Sequence, residues 1–440
     1  MSMPQARCLP TWLTTLVVAV AVFVIVTMLY ARGIMTSYVY NVLQLACIAA
    51  ISALGLNLVY GFNGQFSLGQ IGFYAIGAYS SALITKEFTT YWSGAQFSTL
   101  SWLQAGMIGV VVILWAANRL HLRQLFSRLN KALAELRRME RTILVAVVVV
   151  LITLVLVAVG AALTWVLQLG ISALLTALIP ALPAAAAQSV LFFLALVTSA
   201  AFAALVAYLV GKPLLRLHSD YFGIATLGFA IVIYTILQNS DMVIATMKGA
   251  RGMVEIPMWT SWPWVFGILF VLVVVMRNLV YSSHGRAIIS VREDEVAARQ
   301  MGINVPNAKV IAFAIGGFYA GMAGGLYAHL IGFLHPSTFD FVRGFDPLII
   351  IVFGGLGSMT GTLVASGLFS LIIEGLRVVL PQGFEDWRFV IYPILLLAII
   401  LLRQKGLLGT HEWGWLQPPH VLLREVAVTG GNPQPPEVIP

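Results

Sequence analysis

The longest richly charged passage between Tyr281 and the C-terminal tail is the stretch SSHGRAIISVREDEVAARQMGINVPNAK, residues 282–309, bounded on both sides by apolar runs. Ser290 and Glu293 have the spacing of a capping box, in which hydroxyl and carboxylate satisfy free N–H groups at a helix start. Glu293, Asp294 and Glu295 then fill a first turn and Arg299 a last one, which complements a helix dipole. Glu295 and Arg299 also form an i, i+4 pair, and Gly302 suits a left-handed stop. The spacing predicts one capped helix of about three turns, ~16 Å long, with no partner of its own nearby in sequence. Two uses fit: a solvated helix lying on lipid headgroups, or a helix that touches another protein.

A second constellation, GLNLVYGFNGQFSLGQIGFYAIGAY at residues 55–79, inserts Asn57, Asn63, Gln65, Ser67 and Gln70 among closely spaced glycines between two apolar runs. Irregular backbone at membrane depth is tolerated only where protein buries it or where it lines a wet cavity, so these five amides and hydroxyls either line a translocation path or make a close-packed turn. Gly317, Gly321 and Gly325 recur every fourth residue, a spacing that brings two helix backbones together. In the run RLHSDYFG, Ser219 or Asp220 is expected to cap the span that follows, with His218 beside it. Lys248 and Arg251 stand in a glycine-bearing loop, 239–257, and could receive an acidic surface or be solvated. No P-loop, no paired histidines at metal-ligand spacing and no nucleophile elbow occur. The chain is therefore expected to be no enzyme and to need no cofactor or metal.

These residues are set in a strongly apolar chain. Of 440 residues, 60% are hydrophobic and 10% charged, against roughly 25% charged in soluble domains. Runs of the ~20 residues needed to cross hydrocarbon recur near 12–30, 40–60, 66–85, 102–118, 142–165, 188–210, 221–239, 262–281, 308–333 and 388–403. Residues 346–380 read as two short apolar halves broken at GGLGSMTG. The net charge of +8 comes from basic loops between spans, the positive-inside pattern, and does not point to nucleic acid. Arg119, Arg123, Arg128, Lys131, Arg137, Arg138 and Arg141 would make the loop at 119–141 a lipid-surface element. All the basic loops fall on one side if the N-terminus is cytoplasmic and 346–380 crosses twice. The expectation is an all-α polytopic membrane protein of about twelve spans, a ten-span core plus an inserted pair, with both termini cytoplasmic. Cys8 and Cys47 make no metal or disulfide pattern, and the first apolar run, preceded by Arg7, reads as a retained span rather than a signal peptide. Pro180 and Pro183 mark an external turn. The expected division is a membrane body over 1–405, containing the inserted pair 102–165, and a mobile tail from 406 to 440. Intramembrane ionisable groups are few, among them His329 and Glu374, which disfavours an ion-driven carrier.

GLNLVYGFNGQFSLGQIGFYAIGAY, PLLRLHSDYFGIATLGF, GRAIISVREDEVAARQMGINVPNAKVIAFAIGGFYAGMAGGLYAH and IIIVFGGLGSMTGTLVAS occur in the order found in the LivM-type permeases, which the chain resembles over roughly 40–85 and 205–410. Those permeases are the membrane subunits of ABC importers for branched-chain amino acids. The resemblance implies a multi-pass protein of the bacterial inner membrane working with a LivH-like second permease, two cytoplasmic ATPases and a periplasmic substrate-binding protein. It also implies that loop 282–309 docks on an ATPase. Arg292, Glu293, Glu295, Ala297, Ala298, Arg299 and Gly302 are then the coupling residues, and Ala297 and Ala298 would let the helix seat in a groove. The run MKGARGM at 247–253 departs from the glycine-rich pattern of the family's external loop. Permeases for urea and short amides look much the same, so the solute stays open.

Overall fold

The computed structural model describes residues 11–90, 98–119, 158–173, 175–177, 183–217, 219–379, 394, 406–409, 412–413 and 416–417. The expectations resting on Arg7, Cys8, most of the basic loop at 119–141, Pro180, His218 and the span at 388–403 lie outside those residues. Two compact units divide the chain, residues 80–198 and the remainder.

The larger unit is built on α2 (Ser37–Leu56), which continues as a π-helical turn over Asn57–Phe62. Its second half is buried on every side, because small residues such as Ala50, Ala53 and Gly55 let neighbours come close all round. Against it stand the start of α3 (Gln70–Thr90) and α7 (Trp262–Val280), with α1 (Thr11–Ala31) on α7 and α6 (Ser219–Gln238) on the start of α3. The unit is completed by two short helices, α8 (Ser283–Glu293) and α9 (Glu295–Gln300), and by α10 (Val305–Ile331), α11 (Phe345–Gly354) and α12 (Met359–Val379). The second unit contains α4 (Ser98–Arg119) and a further apolar helical stretch, Ala158–Ala177. Helix α5 (Ala184–Leu214) contributes its last part to the larger unit.

Among the described residues, six helices are long and apolar enough to cross a membrane and three shorter apolar ones accompany them. No strand longer than a single bridge, Met253 with Leu334, interrupts the helices there. Helix α10 holds the unit together because its glycines open two of its faces. Gly317 and Gly321 lie against Ala207 and Ala203 of α5, where a Cβ on either would stand 2.6 Å from a methyl carbon. On another face Gly324 meets the Tyr74 carbonyl of α3 at a separation that leaves no room for a side chain. Close backbone approach of this kind is how apolar helices associate where water supplies no driving force. The expectation for Gly317 and Gly321 therefore holds, and Gly316 and Gly324 extend it to a second face.

The broken stretch at 346–380 is a helix–turn–helix. Helix α11 has ten residues, about 15 Å by helix rise, half the ~30 Å hydrocarbon. It ends at Gly355, whose φ of 117° only glycine adopts freely, and α12 runs back from Met359. Two departures follow further along. Helix α6 begins at Ser219 itself. The stretch from 406, expected to be mobile, is tied down at its described residues: Leu407 and Leu408 N–H groups donate to the Phe353 and Gly354 carbonyls at 2.8 and 3.2 Å. Arg277 Nη2 donates to the Gln417 carbonyl at 3.0 Å.

Candidate functional site

The charged stretch at 282–309 folds as two helices rather than one. Ser282 caps α8, its hydroxyl accepting from the Gly285 N–H at 3.2 Å. Ile288 and Val291, three residues apart, are buried, so one stripe of α8 packs on α10 and the helix does have a partner within the chain. Asp294 then turns to extended backbone (φ −158°, ψ 113°). Its carboxylate accepts from the Val296 and Ala297 N–H groups at 2.7 and 3.0 Å, starting α9. The expected Ser290–Glu293 capping box is therefore corrected. Ser290 lies inside α8 with its hydroxyl on the Ala287 carbonyl at 2.9 Å, and Glu293 closes that helix. Both S-x-x-E and an isolated Asp can start a helix; burial of the α8 stripe puts the start upstream and leaves Asp294 as the cap of the second piece. Glu295 pairs with Lys309 rather than with Arg299. Gly302 has a φ of 82° and ends the pair as expected.

This arrangement presents one face outward and another inward. Val296 and Met301 are 70% and 83% exposed, large apolar side chains standing free beside exposed Glu293, Ala297 and Arg299. Sequence reading missed both, although their alternation with charge is visible in EVAARQM. Ala298 turns inward and is buried, so of the two alanines only Ala297 faces out.

Inward, the Arg292 guanidinium donates to the Gly61 carbonyl in the π-helical turn of α2. Its side chain passes between Gly64 and Gly357, where a Cβ on either would stand 3.1 Å from it. Asn57, one turn before Gly61, donates to the Ser358 carbonyl at 2.9 Å and to Thr362 Oγ1 at 3.0 Å, and accepts from the Gly357 N–H at 3.0 Å. The α11–α12 turn is gripped from its other side by Glu412, which accepts from the Met359 and Thr360 N–H groups and from Thr360 Oγ1. Burial raises the Glu412 pKa above the usual carboxylate value, and these hydrogen bonds oppose the rise. A continuous polar chain thus joins exposed α9, through α8 and the π turn of α2, to the point where the α11–α12 pair reverses. It has the form of a lever: rigid helices, a capped joint, and a buried hydrogen-bonded end.

The five amides and hydroxyls at 57–70 separate into two groups. Asn57 and Gln70 are stitches: Gln70 Nε2 donates to the Ser52 and Gly316 carbonyls at 3.3 and 3.1 Å. Ser67 is buried and accepts from the Gly69 N–H at 3.3 Å. Asn63 and Gln65 are buried too, yet no amide atom of either meets a protein partner. They line a polar chamber of about 260 Å³ together with Arg292, Glu293, Asp294 and Lys309. A chamber of that size and polarity suits ordered water. Among the described residues no three His, Cys, Asp or Glu side chains converge as metal ligands would.

Comparison with known proteins adds an independent line. The profile of a family described as "Branched-chain amino acid transport system / permease component" matches residues 38–129 and 143–400. The high-affinity branched-chain amino acid transport system permease protein LivM of Escherichia coli K12 is 30% identical over 240 residues, 47% of this chain and 55% of the relative. The permease protein LivH of the same organism is 26% identical over 178 residues, 40% of this chain and 55% of the relative. The autoinducer 2 import system permease protein LsrC of an Enterobacter strain is 28% identical over 159 residues, 34% and 45% respectively. The chain spans about half the length of the curated relatives it matches. No solved structure matches it.

Proposed function

The chain belongs to the branched-chain amino acid transport system / permease component family, and from that membership we propose that it is the LivM-like half of a translocation path through the bacterial inner membrane. In this reading it carries branched-chain amino acids delivered by a periplasmic binding protein, beside a LivH-like second permease, and hydrolyses nothing itself. One of two cytoplasmic ATPases docks on the α8–α9 face and drives it. Twelve spans with both ends cytoplasmic put that face, the basic loop and the Arg277–Gln417 contact on one side, with 102–165 as an added helix pair. Loop 239–257, where Lys248 and Arg251 are exposed, then faces the binding protein.

The observation that carries the proposal is the connection from Arg292 through Gly61 and Asn57 to the α11–α12 turn. Exposed Val296, Ala297 and Met301 offer an apolar seat flanked by Glu293, Glu295 and Arg299. A push on α9 is passed inward because α8 buries the stripe Gly285, Ile288 and Val291 and the Arg292 guanidinium is tied to the Gly61 carbonyl. A rigid lever needs such anchoring to deliver movement rather than absorb it.

The test uses the chain with its binding protein, second permease and ATPases in proteoliposomes. Arg292→Gln is expected to leave assembly and ATP hydrolysis in place and to lower ATP-driven L-leucine uptake at least tenfold, about 1.4 kcal/mol or more of lost coupling. Uptake at the unmodified rate would sink the coupling role. A second reading, the same subunit carrying a different small solute, is favoured by the likeness to a permease named for autoinducer 2 import. Uptake of a labelled non-amino-acid solute in place of leucine would establish it.

A further inference from the structure

Above the α11–α12 turn, the larger unit encloses a second cavity of about 190 Å³ between α2, α3, α10, α11 and α12. It is below the roughly 300–1,000 Å³ of pockets that hold drug-sized ligands and has the scale of one small metabolite. Asp346 in the first turn of α11, Glu374 on α12 and Arg343 just before α11 bring both signs of charge to its lining. Leu45, Ile48, Ile71, Ile350 and Ile373 line it beside them, together with Tyr74 and Tyr327. Arg343 is exposed, so the charged end has access to the outside of the unit, while Ile48, Ile71 and Ile350 are buried.

Charge gathered on apolar spans is costly and marks a substrate or ion pathway when it faces an interior cavity. The mixture here selects among ligands. A plain anion would meet two carboxylates, and a plain cation would meet the guanidinium. A molecule carrying both charges close together suits the set, and the aliphatic wall asks for a hydrocarbon group on the same molecule. We propose that this cavity is a binding subsite for one free aliphatic α-amino acid, its carboxylate on Arg343, its ammonium between Asp346 and Glu374, and its side chain on the isoleucine wall. Guanidinium matches carboxylate with two parallel hydrogen bonds. The Glu374 carboxylate accepts from the Tyr38 hydroxyl, which fixes its position in the lining. The proposal rests on the permease reading above and adds where, and by what contacts, that permease holds its solute.

A single reactive thiol reports occupancy. In the full importer carrying Cys8→Ser and Cys47→Ala, Ser370→Cys on the cavity wall is labelled with a cationic methanethiosulfonate in proteoliposomes of phosphatidylglycerol. L-leucine at a few Kd is expected to slow labelling about fivefold, the protection following 1 + [L]/Kd. Isocaproate, lacking the ammonium, and isoamylamine, lacking the carboxylate, are expected not to protect. Arg343→Gln, at an exposed position where folding is not at stake, is expected to remove protection by leucine. The assignment is overturned if leucine gives no protection, if the singly charged analogues protect equally, or if Arg343→Gln leaves protection unchanged. Protection by added phosphatidylethanolamine in place of leucine overturns it too, making the cavity a lipid headgroup site. ATP-driven leucine uptake in the same vesicles reads the permease proposal separately. Uptake without protection overturns the subsite alone; protection without uptake overturns the importer reading and supports the subsite.

Discussion

Asn57 and Gln70 on one hand, Asn63 and Gln65 on the other, come from a single polar interruption fourteen residues long, and they end in opposite situations. The first two spend their amide groups on backbone atoms of α10, α2 and the α11–α12 turn. The second two are as deeply buried but meet no protein partner, facing a polar chamber under α8. Composition cannot separate these pairs. What separates them is whether another backbone end arrives: the reversal at Gly355–Ser358 brings the Gly357 N–H and the Ser358 C=O to Asn57, and no protein group bonds the Asn63 amide. Polar residues in an apolar chain thus serve either to close the structure or to keep part of it wet.

The sharpest way to break that comparison is Asn57→Leu. It removes three hydrogen bonds and leaves the part-buried Gly357 N–H without its acceptor, while the Ser358 C=O keeps the Thr362 N–H and hydroxyl. A loss of about 2–4 kcal/mol is expected, seen as a drop in the thermal unfolding midpoint of the detergent-purified chain. An unchanged midpoint would mean that Asn57 is no stitch and that the two pairs do not differ.

Glu412 holds the same turn from the other side and gives the comparison a pH axis. Burial raises its pKa in the folded state, so the folded protein keeps this proton to higher pH than the unfolded chain does. Stability contributed here is therefore greatest below the usual carboxylate value and declines as pH rises through the raised one. The difference in unfolding midpoint between the unmodified chain and Glu412→Gln should shift against the unmodified chain on going from acid to neutral pH. A pH-independent difference would show that the hydrogen bonds from Met359 and Thr360 compensate burial completely.

How much of this was legible follows the distance between partners. The break at GGLGSMTG, the glycine face of α10 and the stop at Gly302 are local signals, and each stands where its residues put it. The Ser290 cap misplaced the joint because local spacing offers two starts, and only the burial of Ile288 and Val291 against a helix twenty residues on decides between them. Glu412 gripping Met359 could not be read, since 53 residues separate them and the intervening chain is apolar. The lever from Arg292 to Gly61 likewise crosses 231 residues. The charged residues of 292–302 could be singled out as a set, but their orientation, with Val296 and Met301 outward and Ala298 inward, depends on where α10 lies.

Gly302→Ala tests the far end of α9 at smaller amplitude. A Cβ there meets nothing within 4 Å, yet the φ of 82° is one that alanine adopts only with strain. The cost is about 1–2 kcal/mol, borne by the short helix α9. Hydrogen exchange of the Val296–Met301 amides should quicken by roughly tenfold, with the exchange of α10 unchanged. Quickening that spread into α10 would show that α9 and α10 open together, so that Gly302 is no boundary.

The smallest change in stability is expected at the second pair. Asn63→Leu with Gln65→Leu removes buried amides that satisfy nothing in the protein, and replacing polar groups without partners by apolar ones of similar shape is near neutral. The unfolding midpoint should move by no more than ~1 kcal/mol equivalent in either direction. The chamber would nonetheless become apolar beside Arg292, Glu293 and Asp294 and would no longer suit ordered water. If hydration of the chamber lets α8 shift against the π turn, uptake by the full importer falls while stability and assembly hold. If uptake and midpoint both stay unchanged, the chamber is only space left between helices, and its polarity reflects tolerance rather than use. A midpoint falling as far as with Asn57→Leu would erase the distinction between the pairs, because Asn63 and Gln65 would then be stitches whose partners are waters.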